Sequence, residues 1–257
     1  QLIQNLELDE EKNLSKIKKL NLEKNQIFEK IYTNLDPWQK VQVSRHNDRP
    51  HTIDYVSNIF EDIVYLHGDK KYADDSAIIG GFAKINNYSV IFMGTEKGNT
   101  MESRIKHNFG MAKPEGYRKA QRLANLGEKF NLPIITFVDT AGAFPGKDAE
   151  ERGQSESIAS SILVFLNTKT PTISIIIGEG GSGGAIGIAA ADKVLMLEHS
   201  TYSVISPEGC ASILWRSTDF SQEAAKTLKL TSDDCNKYNI IDSIIPELPG
   251  GAHRNLN

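Results

Sequence analysis

A glycine-rich run directly after an apolar segment constrains this fold more than any other feature. Residues 178–193 read GEGGSGGAIGIAAADK and follow the apolar residues 173–177. Glycine has no Cβ, so its backbone approaches a ligand closely and adopts conformations that other residues avoid. A helix that begins within such a run adds unpaired N–H groups and the positive end of its dipole. The pattern therefore predicts a strand that ends at Ile177, a turn that binds negative charge, and a helix over 182–191.

Three kinds of ligand could use this turn. The letters from Gly178 to Gly183 spell GxGxxG, with Glu198 about 20 residues further on, which is the dinucleotide-binding pattern. The match is weak, because the following helix is short and nothing resembles a second mononucleotide-binding half. The nearest P-loop candidate, residues 141–148, does not fit GxxxxGK[ST]. An oxyanion formed during a reaction suits preorganised N–H groups best, and close packing alone would not need four glycines within 180–184.

Composition narrows the class of protein. The 257 residues suffice for one large α/β domain or two small ones. A net charge of -4 gives no general attraction to nucleic acid or anionic membranes, and no apolar stretch reaches the ~20 residues that span a bilayer. The polar start and the two cysteines, Cys210 and Cys235, favour a cytoplasmic protein with buried thiols. The chain begins with Gln1 rather than Met, which leaves room for an upstream targeting segment.

Apolar periodicity predicts an α/β chain behind a helical arm. Residues 6–35 carry apolar side chains mostly three or four positions apart, typical of an amphipathic helix that docks a partner subunit or caps its own domain. Further helices are predicted over 52–66, 114–130, 151–166 and 182–191, and strands over 77–85, 88–95, 132–138, 172–177, 193–197 and 202–205. This alternation favours a largely parallel sheet, with loops 139–150, 178–184 and 206–210 gathered at its carboxyl edge.

Several longer words resemble one enzyme family. Besides GEGGSGGA, residues 114–120 read PEGYRKA, residues 149–156 read AEERGQSE and residues 200–215 read STYSVISPEGCASILW. These words are similar to the alpha subunit of bacterial-type acetyl-CoA carboxylase carboxyltransferase, and the similarity extends from about Leu14 to Asn255. The resemblance implies an α/β crotonase-like fold, a spiral of ββα units. It also implies an N-terminal helical arm over 1–35 and a carboxyltransferase domain over 36–257 that stops before the C-terminal helices of relatives.

The resemblance gives the glycine turn a chemical role. It implies that carboxybiotin, carried on the biotin carboxyl carrier protein and loaded by biotin carboxylase, donates its carboxyl group to acetyl-CoA, forming malonyl-CoA for fatty acid synthesis. A beta subunit would supply the acyl-CoA half in an α2β2 assembly. The N–H groups of Gly183 and Gly184 are then the candidates to stabilise the ureido oxygen of biotin, with Gly180 and Gly181 shaping the approach. Biotin itself can take the acetyl proton, so no protein base is needed, and no metal is expected in this chain.

A second loop is the candidate for the opposite wall of the biotin pocket. Gly142, Ala143 and Phe144 lie in DTAGAFPG, residues 139–146, where relatives usually read DTPGAYPG. Phe144 is available to pack on the biotin ring. The alternative is a turn whose proline and glycine only reverse the chain.

A basic segment after the second hairpin strand offers further contacts. Lys97 and Arg104, predicted in a loop, would contact CoA phosphates or the carboxylate of carboxybiotin, or else form a solvated basic surface. Arg152 and Glu156 are expected to pair with each other or with a neighbour, and His199 to serve as a structural hydrogen-bonding group. Two other functions remain open: a non-catalytic scaffold subunit of the same complex, and a self-sufficient crotonase-type acyl-CoA enzyme.

Overall fold

One mixed sheet organises the molecule in the computed structural model, which describes residues 10–254, with side chains from residue 14 onward. The helices are α1 Glu10–Tyr32, α2 Pro37–Ser44, α3 Thr52–Ile59, α4 Met101–Lys106, α5 Pro114–Phe130, α6 Lys147–Glu151, α7 Gln154–Asn167, α8 Ser182–Ala189, α9 Pro207–Leu214, α10 Ser221–Leu228 and α11 Ser232–Lys237. The strands are β1 Glu61–Tyr65, β2 Ile78–Ile85, β3 Tyr88–Thr95, β4 Ile134–Thr140, β5 Thr172–Gly181, β6 Lys193–Leu197, β7 Thr201–Ser203 and β8 Ser243–Ile245. None of the described helices is long and apolar enough to cross a membrane.

The sheet is antiparallel at one edge and parallel elsewhere. Its strand order is β1-β2-β3-β4-β5-β6-β8, and β7 pairs with the carboxyl end of β5. The β1, β2 and β3 strands pair antiparallel, with the predicted turn at Asn86 in the left-handed region at φ 51°. From β3 to β8 every pairing is parallel. The predicted largely parallel sheet is therefore confirmed, and the carboxyl ends of β4 and β5 lie side by side.

Helices cover both faces of the sheet. The apolar side of α5 packs with α8 on one face, where Tyr117, Leu123 and Ile188 are fully buried. Val56 of α3 and Phe60 pack on the opposite face. Because both faces are buried, the central strands are nearly continuous apolar runs, as parallel strands usually are. Cys210 and Cys235 are buried free thiols, as predicted.

The predicted helix over 52–66 is wrong in its second half. The helix ends at Ile59, and Phe60 adopts an extended backbone before β1 begins. Strand β1 pairs with β2 at one edge of the sheet, where Tyr65 lies opposite Gly81. A Cβ atom on Gly81 would lie 1.9 Å from the carbonyl oxygen of Val64. Because glycine has no Cβ atom, β1 can approach β2 this closely. The pairing partner, rather than local periodicity, decides the conformation of these residues.

The glycine run remains in the sheet for longer than the sequence predicts. Strand β5 does not end at Ile177 but continues to Gly181, because β7 pairs with residues 179–181. The turn into α8 is made at Ser182, whose φ of 54° lies in the left-handed region. Residues 206–210, predicted as a loop, begin helix α9 instead, with Ser206 as its N-cap.

The predicted helix over 151–166 begins later, at Gln154, and the end of the predicted loop 139–150 is helical, because Lys147–Glu151 forms α6. Gly153, at φ 79°, separates α6 from α7. Arg152 pairs with Glu115 at 2.9 Å, which confirms the expectation of a neighbouring partner rather than Glu156. The basic segment that contains Arg104 is likewise helical, not a loop, because it forms α4 with Thr100 as its N-cap.

Candidate functional site

The loop after β4 and the start of α8 approach each other at backbone distance. A Cβ atom on Gly184 would lie 2.3 Å from the carbonyl carbon of Gly142 and 2.6 Å from the amide nitrogen of Ala143. A Cβ atom on Gly181 would lie 2.2 Å from the carbonyl oxygen of Ala141. All three distances are far below any real contact of a Cβ atom. The structure thus brings together the two predicted walls, and glycine is what permits it.

Gly183 differs from its neighbours, because there is room beside it. The nearest atoms to a Cβ atom at this position would be two methyl carbons of Ile158, each at an ordinary contact distance of 3.6 Å. Gly180 is closed by packing, since its Cβ atom would lie 2.6 Å from the ring of Tyr202. Of the glycines proposed for the site, Gly183 and Gly142 are therefore the two at which a Cβ atom would make no close contact.

N–H groups without an acceptor among residues 10–254 lie in both walls. Helix α8 begins with Ser182, Gly183 and Gly184, whose N–H groups have no acceptor within the helix, and no side chain caps it. Across the gap, the hydroxyl of Thr140 accepts a hydrogen bond from the Gly142 N–H at 3.1 Å and donates to the Gly142 carbonyl at 2.8 Å. No acceptor for the Ala143 N–H is found among residues 10–254. The arrangement can bind a group that carries negative charge.

A cavity of about 430 Å³ lies between these walls. Its lining includes Gly142, Ala143 and Phe144 on one side, Ser182 and Gly183 on the other, and Val204, Ile205 and Ser206 along a third. Gln154 holds the first wall in place, because its side-chain amide donates to the carbonyls of Ala112 and Phe144, each at 2.9 Å. The sequence predicted the first two walls as parts of the biotin pocket. It also placed Ser206 of the third wall in a segment at the same edge of the sheet, but it gave no binding role to Val204, Ile205 or Ser206.

The ring of Phe144 already has a cationic neighbour. The ammonium of Lys113 lies 4.7 Å from its ring centroid, which is cation–π distance. Lys113 also lies 3.4 Å from the carboxylate of Asp148. Sequence reasoning missed Lys113, whose position directly before Pro114 gave no functional signal.

Lys97 is buried in a cluster of charges rather than exposed on a basic surface. Its ammonium lies 2.7 Å from Oδ1 of Asp139 and 2.9 Å from Oε2 of Glu179. Burial opposes the charge of Lys97, but the two carboxylates outweigh it and raise the pKa of the ammonium. Burial likewise favours the neutral acid at Glu179, but Lys97 and Arg45 outweigh it and lower the pKa of this carboxyl. Because the pKa of Lys97 is raised and that of Glu179 is lowered, both side chains are charged throughout the neutral range.

Arg104 lies at a second cavity, of about 280 Å³, that Ala141 separates from the first. Its guanidinium donates to the Gly98 carbonyl at 3.1 Å and to Oδ1 of Asn47 at 3.3 Å, and pairs with no carboxylate in residues 14–254. His51 lines the same cavity, and both of its ring nitrogens are buried without a hydrogen-bond partner. The structure thus places Lys97 and Arg104 together, but not in the cavity that Gly183 lines.

Neither metal ligation nor a histidine base stands out in the described part of the chain. No group of three or more metal-binding side chains occurs there. His199 is buried, and its backbone N–H donates to Oε1 of Glu247 at 2.9 Å. Burial lowers the pKa of its imidazole, which lies against the ring of Tyr32.

Known proteins of one family are similar to this chain over most of its length. All 257 residues match the family described as acetyl co-enzyme A carboxylase carboxyltransferase-like. The chain is 57% identical over 239 residues to the acetyl-coenzyme A carboxylase carboxyl transferase subunit alpha of Paramagnetospirillum magneticum, covering 93% of this chain and 75% of that protein. It is 56% identical over 227 residues to the protein of the same name from Pelagibacter ubique, covering 88% and 62%.

Solved structures share the fold at low sequence identity. Transcarboxylase 12S, with methylmalonyl-coenzyme A bound, superposes with a TM-score of 0.64 at 21% identity, over 78% of this chain and 39% of that one. The beta subunit of geranyl-CoA carboxylase from P. aeruginosa gives 0.63 at 15%, over 82% and 42%. The crotonase-like α/β fold is thereby confirmed.

Proposed function

Because the chain belongs to the acetyl-CoA carboxylase carboxyltransferase family as an alpha subunit, we propose that its 430 Å³ cavity binds the carboxybiotin of a partner protein. The observation that carries this proposal is the meeting of two backbone walls at Gly184 and Gly142. Their free N–H groups and the open space beside Gly183 fit a planar ring with a polarised carbonyl. The residues present therefore suit the group.

The residues of this chain would act by binding and orienting. Carboxybiotin supplies the transferable carboxyl group, and negative charge grows on its ureido oxygen as the N–CO2 bond breaks. The N–H groups of Gly183, Gly184 and Ala143 would stabilise that charge without reorganisation, and one such donor typically contributes ~3 kcal/mol. Gly181 and Gly142 would keep the walls close, and Phe144 would pack on the biotin ring.

Assembly with other proteins is part of the proposal. The relatives are named as alpha subunits, and we expect a beta subunit to bind acetyl-CoA and complete the site in an α2β2 complex in the cytoplasm. The biotin carboxyl carrier protein and biotin carboxylase would deliver the carboxyl group for fatty acid synthesis. Exposed apolar side chains beside the cavity support a shared site. They are Val204, which lines it, and Ile186 and Ile240, which together with Val204 line a neighbouring cavity of about 450 Å³.

One experiment tests the shared site. Malonyl-CoA decarboxylation with a free biotin analogue as carboxyl acceptor is measured with this chain alone, its beta partner alone and the two mixed. We expect turnover only in the mixture. Turnover by this chain alone would instead favour a self-sufficient crotonase-type enzyme, and an inactive mixture of folded chains would refute the proposed reaction.

A further inference from the structure

Strands β4 and β5 change their pairing register at the point where the candidate site begins. Their regular register is interrupted between Val138 and Thr140. Asp139 fills the interruption: its Oδ1 accepts a hydrogen bond from the Glu179 N–H at 2.8 Å. A Cβ atom on Gly178 would lie 2.3 Å from the same oxygen, so the carboxylate packs directly on the glycine run. A side chain therefore takes over the backbone pairing that would otherwise align the two walls.

Lys97 binds both strands at this interruption. Its ammonium contacts Asp139 at the end of β4 and Glu179 near the end of β5, and its side chain is only 17% exposed. Without this cation, Glu179 would keep only Arg45 as a cationic partner, and the buried Asp139 carboxylate would face it with no lysine or arginine partner among residues 14–254, which is strongly unfavourable. The lysine is therefore what allows the two carboxylates to remain close.

Arg45 extends the cluster to the third wall of the cavity. Its guanidinium contacts Oε1 of Glu179 at 2.7 Å and Oε1 of Glu208 at 2.5 Å. Glu208 lies in the first turn of α9, two residues after Ser206 of the cavity wall. All three walls of the cavity are thus joined by one chain of ion pairs.

We infer that Lys97 and Glu179 are positioning residues of the carboxyl transfer site, which hold the loop after β4, the glycine run and the start of α9 in register. This inference rests on the proposed function. Neither residue contacts the 430 Å³ cavity, so they act through the backbone that they fix. It replaces the expectation that Lys97 binds a phosphate, because its ammonium already contacts two carboxylates.

The test compares Glu179→Gln with wild type in the complex with the beta subunit. Glutamine keeps the size of the side chain and an oxygen acceptor for Lys97 but removes the charge. We expect kcat/KM for the biotin analogue to fall at least ~10-fold, with a higher KM for that analogue, since small misplacements of reacting groups are costly. The KM for malonyl-CoA, which the partner would bind, stays within about two-fold. A smaller folded fraction would move neither KM.

Two further variants complete the design. Lys97→Met should show the same split more strongly, and if it does not fold, Glu179→Gln decides. Lys193→Met is the matched control, because it breaks an exposed ion pair with Asp242, 2.7 Å long, at the start of β6, and should change neither constant. Wild-type activity in the mixture tests the proposed function separately. With active wild type, an unchanged KM for the biotin analogue in folded Glu179→Gln would overturn the inference.

Discussion

Two adjacent glycines of the candidate site should lose activity to very different extents on the same substitution. Gly184→Ala places a methyl group 2.3 Å from the backbone of Gly142, so the opposite wall has to move. Gly183→Ala places it at ordinary contact distance from Ile158. Since both variants keep their N–H groups, we expect Gly184→Ala to lose about 100-fold or more in kcat through displaced donors, whereas Gly183→Ala loses less than ~10-fold.

The measurement is malonyl-CoA decarboxylation by each variant with the beta subunit, alongside thermal unfolding of the chain. Gly183→Ala serves as the control for a methyl group added to the first turn of α8. If both variants kept full turnover, the two walls would not form an oxyanion site, and the scaffold interpretation would be favoured.

At the scale of elements, the break between α6 and α7 creates a tie to α5. Arg152, at the break, contacts Glu115 in the first turn of α5, and the Glu115 side chain is 5% exposed. Arg152→Met leaves that carboxylate with only Arg118, at 3.8 Å. We expect the free energy of unfolding to fall by about 1–3 kcal/mol, because a buried charge loses its main partner. Urea unfolding followed by circular dichroism measures it.

The control for this tie is an exposed ion pair on α6. Lys147 contacts Glu151 at 3.3 Å, with side chains 91% and 63% exposed. Lys147→Met should change the free energy of unfolding by less than about 0.5 kcal/mol, as surface pairs usually do. Equal losses in the two variants would mean that burial of Glu115 does not determine the strength of the Arg152 pair.

Local sequence predicted those elements whose signals are local. The hairpin at Asn86 and the helix from Pro114 to Phe130 were predicted correctly, because a turn pair and a first-turn proline mark them. The extension of β5 to Gly181 was missed, because glycine disfavours strands unless a neighbouring strand pairs with it, as β7 does. Strand β1, which contains no glycine, was missed because its pairing with β2, rather than its own periodicity, decides its conformation.

The candidate site also has parts that the sequence predicts and parts that it does not. Gly142 and Gly183 could be predicted to meet, because both follow neighbouring parallel strands. The partners of Lys97 could not, because they lie on β4 and β5, and only the sheet order brings them to the lysine. Nothing in the local sequence around Lys97, in a basic segment, or around Glu179, among glycines, indicates that the two side chains form an ion pair.

At the scale of the whole molecule, the C-terminal part of helix α1 contacts the last described residue of the chain. The guanidinium of Arg254 lies 3.9 Å from the ring centroid of Phe28 on α1, and the ring of Tyr32 lies 5.5 Å from that of His199. Elsewhere α1 is largely exposed, including Leu22 at 60% and Ile27 at 57%. Ile17 on the same helix is buried, at 8% exposed, so the arm is covered there as well as near its C-terminal end. Its exposed apolar side chains, such as Leu22 and Ile27, are free to contact a partner.

Phe28→Ala should release the arm without unfolding the body. It removes a cation–π contact worth roughly 0.5–1 kcal/mol at an exposed site, while the sheet keeps its core. We expect trypsin to cleave within residues 10–32 several-fold faster, with the midpoint of thermal unfolding changed by no more than a few degrees. Leu22→Ala, on the exposed side of the same helix, is the control and should leave the cleavage rate unchanged. Equal cleavage of Phe28→Ala and wild type would show that Tyr32 and the helix boundary hold the arm without Arg254.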